Sequence, residues 1–77
     1  MNQLYGLVAD ILGVDPTGIS AETGPLTLAK WDSLNHMRLV AAVEETYGVQ
    51  FTTEEIVSVI NVKGFATVLQ NKGVSVS

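Results

Sequence analysis

The residues best suited to chemistry in this sequence are Asp32, Ser33 and Leu34, at the start of a segment with helical apolar periodicity. A carboxylate just before a helix can accept backbone N–H groups of the first turn, so Asp32 is a candidate N-cap. Ser33 would then stand on the first turn. Its hydroxyl either belongs to the ordinary capping of a helix start or is an exposed nucleophile for covalent attachment. The rest of the sequence favours attachment.

His36, three residues after Ser33, suggests a catalytic serine at first sight. Neighbours at one helix start cannot supply the geometry of a catalytic triad together with an oxyanion hole. We therefore predict no catalytic residue and expect His36 to pack against the core or its rim. The chain has one histidine, no cysteine and scattered carboxylates, so we predict no metal site.

Composition limits the size and the partners of the protein. Of 77 residues, 47% are hydrophobic, which is enough for one packed core and predicts a single domain over residues 1–77. Eight acidic and four basic side chains give a net charge of −4, which argues against nucleic acid and favours basic protein partners. We expect no membrane span and no leader, and a cytoplasmic location agrees with the lack of cysteine.

The first helix is predicted from one apolar stripe, with Asn2 as a possible N-cap and Gly13 at its end. The stripe consists of Leu4, Leu7, Val8, Ile11 and Leu12. A long loop follows over residues 14–31, where prolines and glycines interrupt the periodicity, and such loops are often functional. The residues expected to hold this loop to the core are Ile19, Leu26 and Leu28. We expect Trp31 to anchor the end of the loop.

The second helix is predicted over Ser33–Tyr47, with Asp32 as its N-cap and Gly48 as its end. A short third helix is indicated by Thr52 and Glu55, which have the spacing of a capping box.

The fourth helix begins at Asn61 and ends at Gly73, and we expect the tail Val74–Ser77 to fray. These elements predict an all-α fold. It is a small helical bundle of three main helices plus one short helix, with the long loop between helices one and two.

The second helix has two apolar faces, although a small bundle needs only one for folding. The face expected in the core carries His36, Leu39, Val40, Val43 and Tyr47. The roughly opposite face carries Leu34, Met37 and Ala41, flanked by Arg38, Glu44 and Glu45. We interpret this second face as a docking surface for protein partners. The alternative is that Leu34 and Met37 pack under the long loop.

A resemblance to the acyl carrier protein family is clearest in the segment WDSLNHMRLVAAVEETYGVQFTTEEI. That family has Asp-Ser-Leu at the head of its second helix, a Glu-Glu pair near the helix end, an aromatic residue and glycine, and a short capped third helix. The corresponding residues here are Ser33, Glu44-Glu45, Tyr47-Gly48 and Thr52–Glu55. The resemblance covers essentially the whole chain, including the long loop.

The resemblance implies that a phosphopantetheinyl transferase joins 4'-phosphopantetheine from coenzyme A to the Ser33 hydroxyl. Asp32 would cap the helix and present a carboxylate to the transferase or its metal. The thiol of the arm would carry acyl groups as thioesters between acyl-loading and acyl-processing enzymes. A helix N-terminus favours a phosphate at this position. The resemblance thus implies a carrier and not an enzyme, which we expect to be a monomer.

Some residues depart from the pattern of fatty acid carriers. Lys30 and Trp31 precede Asp32, where small residues are usual, and Asn35 and Arg38 occupy positions that are often acidic. The departures favour a specialised, discrete carrier of a polyketide-like or other dedicated pathway over general fatty acid synthesis. A peptidyl or aminoacyl carrier is one alternative, although the Gly-Gly run typical of that class is absent. A helical interaction module without the arm is another.

Overall fold

Helices account for all the regular structure in the described part of the chain, residues 1–76 of a computed structural model. Their bounds are α1 Asn2–Leu12, α2 Ser33–Tyr47, α3 Thr53–Ser58 and α4 Val62–Asn71, with a 3₁₀ turn at Pro16–Gly18. The predicted fold class is confirmed, because three main helices and one short helix follow the chain in the expected order. No helix within residues 1–76 is long and apolar enough to cross a membrane.

The start of α2 is set by Asp32, whose Oδ1 accepts the Asn35 N–H at 2.9 Å. The helix ends at Gly48, which adopts a left-handed φ of 69° that a side chain would disfavour. Both predicted ends of α2 are confirmed. They are local features, since each depends on one residue and the turn next to it.

The short helix α3 begins with the predicted capping box. Its Thr52 hydroxyl accepts the Glu55 N–H at 3.1 Å, and the Glu55 carboxylate accepts the Thr52 N–H at 2.8 Å. Glu55 also pairs with Lys72 at 2.9 Å, which connects α3 to the end of α4. The Lys72 ammonium and the capping hydrogen bond lower the pKa of the Glu55 carboxyl.

The predicted cap of α1 is wrong. Asn2 is the first helical residue, and Met1 stands at the N-cap without a side-chain hydrogen bond. The physical reason is that the Met1 carbonyl already accepts the Tyr5 N–H at 3.0 Å, so the helix starts one residue earlier. The predicted start of α4 is confirmed, because Asn61 is its N-cap and the Asn61 side chain accepts the Gly64 N–H at 2.8 Å.

The apolar core includes most of the buried side chains of α1, α2 and α4, and α1 contacts both of the other helices. Its largest fully buried members are Trp31, Phe65, Leu4, Leu39, Leu69, Val8, Val43 and Val62. Two members of the predicted core face of α2, His36 and Tyr47, are only half-buried. The Tyr47 hydroxyl itself is buried without a hydrogen-bond partner among residues 1–76, and burial raises the Tyr47 pKa.

The long loop is pinned to the start of α4 by backbone hydrogen bonds. The carbonyls of Ala21 and Thr23 accept the N–H groups of Lys63 and Val62, both at 2.9 Å. Gly24 packs so closely on this region that a Cβ atom there would overlap the Ile60 carbonyl oxygen. The loop is therefore an ordered part of the fold.

Of the three residues expected to hold the loop to the core, Ile19 is buried and Leu28 is half-buried. The prediction is wrong for Leu26, which is 98% exposed. The Gly24 carbonyl accepts the N–H groups of Thr27 and Leu28 in a tight turn, and Leu26 lies within that turn and points to solvent.

The chain after α4 turns back at Gly73, where φ is 82°. The Val74 N–H then donates to the Leu69 carbonyl at 2.9 Å, and both Val74 and Val76 pack against the core. The expectation of a frayed tail is therefore wrong for these two residues, because each has core surface to cover. The last residue of the predicted tail, Ser77, lies outside the described residues.

Candidate functional site

Ser33 is the first residue of α2, and its side chain is exposed. Two backbone N–H groups at the start of α2 have acceptors on Asp32. Its carboxylate accepts the Asn35 N–H, and its carbonyl accepts the His36 N–H at 2.8 Å. The N–H groups of Ser33 and Leu34 come before that of His36, the first to donate to a backbone carbonyl of the helix, and are therefore available to an oxyanion. The site can therefore present a hydroxyl next to backbone donors that suit a phosphate.

A groove of about 550 Å³ opens beside Ser33, between the long loop, α2 and α3. It is lined by Pro25, Trp31, Asp32, Ser33, His36, Met37, Ile56, Val57 and Val59. Most of these side chains are apolar. A group attached to the Ser33 hydroxyl would thus have an extended apolar surface next to it.

His36 connects the groove to both α3 and the loop. The Trp31 Nε1–H donates to His36 Nδ1 at 3.0 Å, and His36 Nε2 lies 2.9 Å from the Ile56 carbonyl oxygen. Because an indole N–H only donates and a carbonyl only accepts, these contacts assign the neutral tautomer with its hydrogen on Nε2. Both ring nitrogens are therefore engaged in holding the structure together, as expected for a packed histidine.

The predicted docking face of α2 is open to solvent. Leu34 is 71% exposed and Met37 is 50% exposed, while Ala41, one turn further on, is also exposed. The alternative that Leu34 and Met37 pack under the long loop does not agree with these exposures.

The charged residues predicted around this face differ in their contacts. Arg38 is exposed and donates to the Asn35 side-chain oxygen at 3.0 Å. Asn35 in turn donates to the Lys30 carbonyl at 2.7 Å, so this part of the rim is held in place. Glu45 is exposed, whereas the half-buried Glu44 accepts the Phe51 N–H at 2.7 Å. Glu44 therefore supports the connection between α2 and α3.

The large exposed apolar side chains are Leu26, Leu34, Met37, Val57 and Ile60, and the sequence predicted exposure only for Leu34 and Met37. Met37 and Val57 line the groove, and each of the other three is next in sequence to a lining residue. The walls contributed by the loop and α3 could not be found by periodicity, because they depend on how those segments pack against α2.

Metal-ligating side chains do not gather anywhere in the described residues: no three histidine, aspartate or glutamate side chains lie close enough to hold an ion. The features of the site are thus an exposed hydroxyl, a helix N-terminus and an apolar groove.

Comparison with known proteins identifies the family. The family described as a phosphopantetheine attachment site matches residues 2–69. The acyl carrier protein of Thermosynechococcus vestitus is 31% identical over 72 residues, which cover 94% of this chain and 89% of the relative. This chain belongs to the acyl carrier protein family. The acyl carrier protein of Bdellovibrio bacteriovorus is 31% identical over 67 residues, covering 87% of this chain and 86% of the relative.

Membership in this family makes the chain a carrier with a covalently attached 4'-phosphopantetheine group, and not an enzyme. The structure fits such a group, since the start of α2 offers an exposed hydroxyl with backbone donors beside it and an apolar groove next to it.

Proposed function

We propose that this protein carries acyl intermediates as thioesters on a 4'-phosphopantetheine arm attached to Ser33. The observation that carries the proposal is an exposed serine at a capped helix start, beside an apolar groove and inside the matched segment 2–69. Two other serines in that segment have engaged hydroxyls. Ser58 donates to the Glu55 carbonyl at 2.7 Å, and the Ser20 hydroxyl lies 3.4 Å from that of Thr23.

In the attachment step, Ser33 Oγ forms a new bond to the pantetheine-bearing phosphorus of coenzyme A. The diphosphate P–O bond breaks, adenosine 3',5'-bisphosphate leaves, and the hydroxyl proton passes to a base of the transferase. The Asp32 cap fixes the first turn and so the direction of the Ser33 side chain. We propose that the other carboxylate oxygen of Asp32 meets the transferase or its metal. When attached, the arm supplies a thiol on which acyl groups form thioesters.

The partners we propose are the phosphopantetheinyl transferase and the enzymes that load and process the acyl group. They would dock on Leu34, Met37 and Ala41, whose exposure leaves an apolar surface without a partner in the described fold. Arg38 and Glu45 would set the charge preference at the rim. Glu44, also predicted for docking, would act there only through its remaining carboxylate oxygen, because one oxygen holds the Phe51 N–H.

The pathway we propose is a specialised one, polyketide-like or otherwise dedicated. It is supported by Arg38 and Asn35, which give the start of α2 a cationic and a neutral group where acidic residues would favour the enzymes of fatty acid synthesis. A single domain over residues 1–77, a monomeric state and a cytoplasmic location stay predictions.

The attachment is tested by intact-mass measurement after the protein is incubated with coenzyme A and a broadly active transferase. We expect the wild type to gain one phosphopantetheine and Ser33→Ala to gain none. The matched control is Ser58→Ala, which should gain one as the wild type does. An unmodified wild type, with a second carrier modified in the same tube, would contradict the proposal and favour a helical interaction module. Modified Ser33→Ala would show that another residue bears the arm.

A further inference from the structure

Aromatic rings fill the interior beneath the groove. The rings of Trp31, His36 and Phe65 stack on one another, with centroids 6.0–6.1 Å apart and planes within 28°. Phe51 lies against the same phenylalanine at 5.9 Å. Trp31 is 1% exposed and Phe65 is fully buried. The space between α2 and α4 at this level is therefore occupied by side chains.

Hydrogen bonds fasten this stack to α3. The Trp31 Nε1–H donates to His36 Nδ1, and the His36 Nε2–H donates to the Ile56 carbonyl. We call this chain of contacts the Trp31–His36–Ile56 link. An apolar chain that entered the bundle between α2 and α3 would have to separate the link. It would leave an indole N–H, a ring nitrogen and a carbonyl in apolar surroundings without partners, which is unfavourable.

The groove lies outside this link, with Trp31 and His36 among its lining residues. Its walls include Met37 and Val57, which are 50% and 74% exposed. A group held in the groove thus has protein on one side and solvent on the other. A short acyl group exposes little apolar surface to water in this groove, so its position there costs little free energy. A long alkyl chain would leave many methylenes in water.

We propose that the cargo of this carrier consists of short acyl groups that stay in the groove outside the bundle, because the Trp31–His36–Ile56 link closes the interior to long alkyl chains. This inference rests on the proposed attachment at Ser33 and adds the class of substrate. His36 is a positioning residue in it, because its ring nitrogens hold Trp31 and α3 in place.

The test is a chain-length series on the wild type. Acetyl-, butyryl- and octanoyl-coenzyme A are used with the transferase to load the three acyl arms, and intact mass confirms each product. Failure of every loading contradicts the proposed function, whereas the thermal melts of the loaded forms test only the inference. We expect the Tm of the octanoyl form to lie within about 2 °C of that of the acetyl form, since burial of the chain in the core would raise Tm further. A larger rise would overturn the inference.

A variant tests whether the link is responsible. His36→Ala removes both hydrogen bonds and leaves space beside Phe65, so we expect its octanoyl form to melt more than about 2 °C above its acetyl form. Tyr47→Phe, on the same helix but outside the groove, is the control and should behave as the wild type. Equal Tm values for the two His36→Ala forms would show that the link does not close the interior. If His36→Ala does not fold, the wild-type series still decides whether the cargo stays outside.

Discussion

The two sides of α2 differ in how much apolar surface they bury against the rest of the molecule. On one side, Leu39, Val40 and Val43 are almost completely buried in the core shared with α1 and α4. On the other side, α3 has no fully buried residue. It is held by partial burial of Ile56 against the core, by the His36–Ile56 hydrogen bond and by the Glu55–Lys72 ion pair. The Glu44–Phe51 hydrogen bond holds the segment just before α3, and the exposed Met37 and Val57 line the groove on this side.

The core side of α2 accounts for folding, and we propose that the groove side serves the carrier function. Burial of apolar side chains is the main source of stability, so the core side accounts for the fold. The groove side leaves Leu34 and Met37 in solvent, where they add little to stability and are available to partner enzymes. Ser33 lies on this less strongly held side, next to surfaces that the fold itself does not use.

The largest effect should come from exchanging leucines on the two sides of α2. Leu39→Ala should lower the free energy of unfolding by about 2–5 kcal/mol, because it leaves a cavity at a fully buried position. The matched variant Leu34→Ala should change it by no more than about 0.5 kcal/mol, yet slow modification by the transferase. Urea unfolding and transferase kinetics measure both. Similar losses of stability in the two variants would contradict the assignment of stability to the core side of α2 and of partner binding to the groove side.

A second pair compares glycines in the loop and in α1. Gly24→Ala should destabilise the protein by about 1–3 kcal/mol, because the new methyl group meets the Ile60 carbonyl, which is backbone and cannot turn away. Gly6→Ala, in α1 with no atom within 4 Å of its Cβ position, should stabilise by about 0.5–1 kcal/mol. Thermal or urea unfolding distinguishes them. A neutral Gly24→Ala would mean that the loop is not fastened to α4 as described.

The docking face should respond to charge without loss of the fold. Met37→Glu should retain its helical circular dichroism and slow transferase modification at least about tenfold, or 1.4 kcal/mol, because a partner would desolvate the new carboxylate. Thr46→Glu adds the same charge on the opposite side of α2 and is the control. Arg38→Glu should change the preference among partner enzymes more than the rate with any one of them. An unfolded Met37→Glu would place that residue in the core.

The smallest effect concerns the pH dependence contributed by Glu55. Its pKa is lowered in the folded state by Lys72 and the capping hydrogen bond. The stability that it contributes is therefore complete above the unfolded pKa, near 4.5, and is lost as pH falls through the folded pKa. Glu55→Gln keeps an acceptor for the cap but removes the charge that pairs with Lys72. The variant should therefore be less stable than the wild type at neutral pH and equal to it in strong acid. Urea unfolding at several pH values checks this. If the free energies of unfolding of the two proteins differed by the same amount at every pH, the lowered pKa would not belong to Glu55.

Local signals in the sequence predicted both ends of α2 and the N-caps of α3 and α4, although not that of α1, because each of these features depends on few neighbouring atoms. Asp32 and Gly48 set α2, and Thr52 with Glu55 set α3, as the spacing indicated. Leu26 shows the limit of such arguments. Its apolar side chain predicts burial, but the backbone turn that begins at Gly24 leaves it in solvent.

The site was only partly predictable for the same reason. Ser33 and the exposed face of α2 follow from residue order and helical periodicity. The contact between Trp31 and His36 crosses the boundary between loop and helix, and the contact with Ile56 joins residues 20 positions apart. No periodicity encodes these distances, because they depend on how α3 packs against α2.

The most direct test of the separation between the two sides is a comparison of amide chemical shifts before and after transferase treatment. We expect changes at Ser33, Met37 and Val57 on the groove side, and none at Val43 or Leu69 in the core. Unchanged shifts around Ser33, or changes as large in the core as in the groove, would contradict the account.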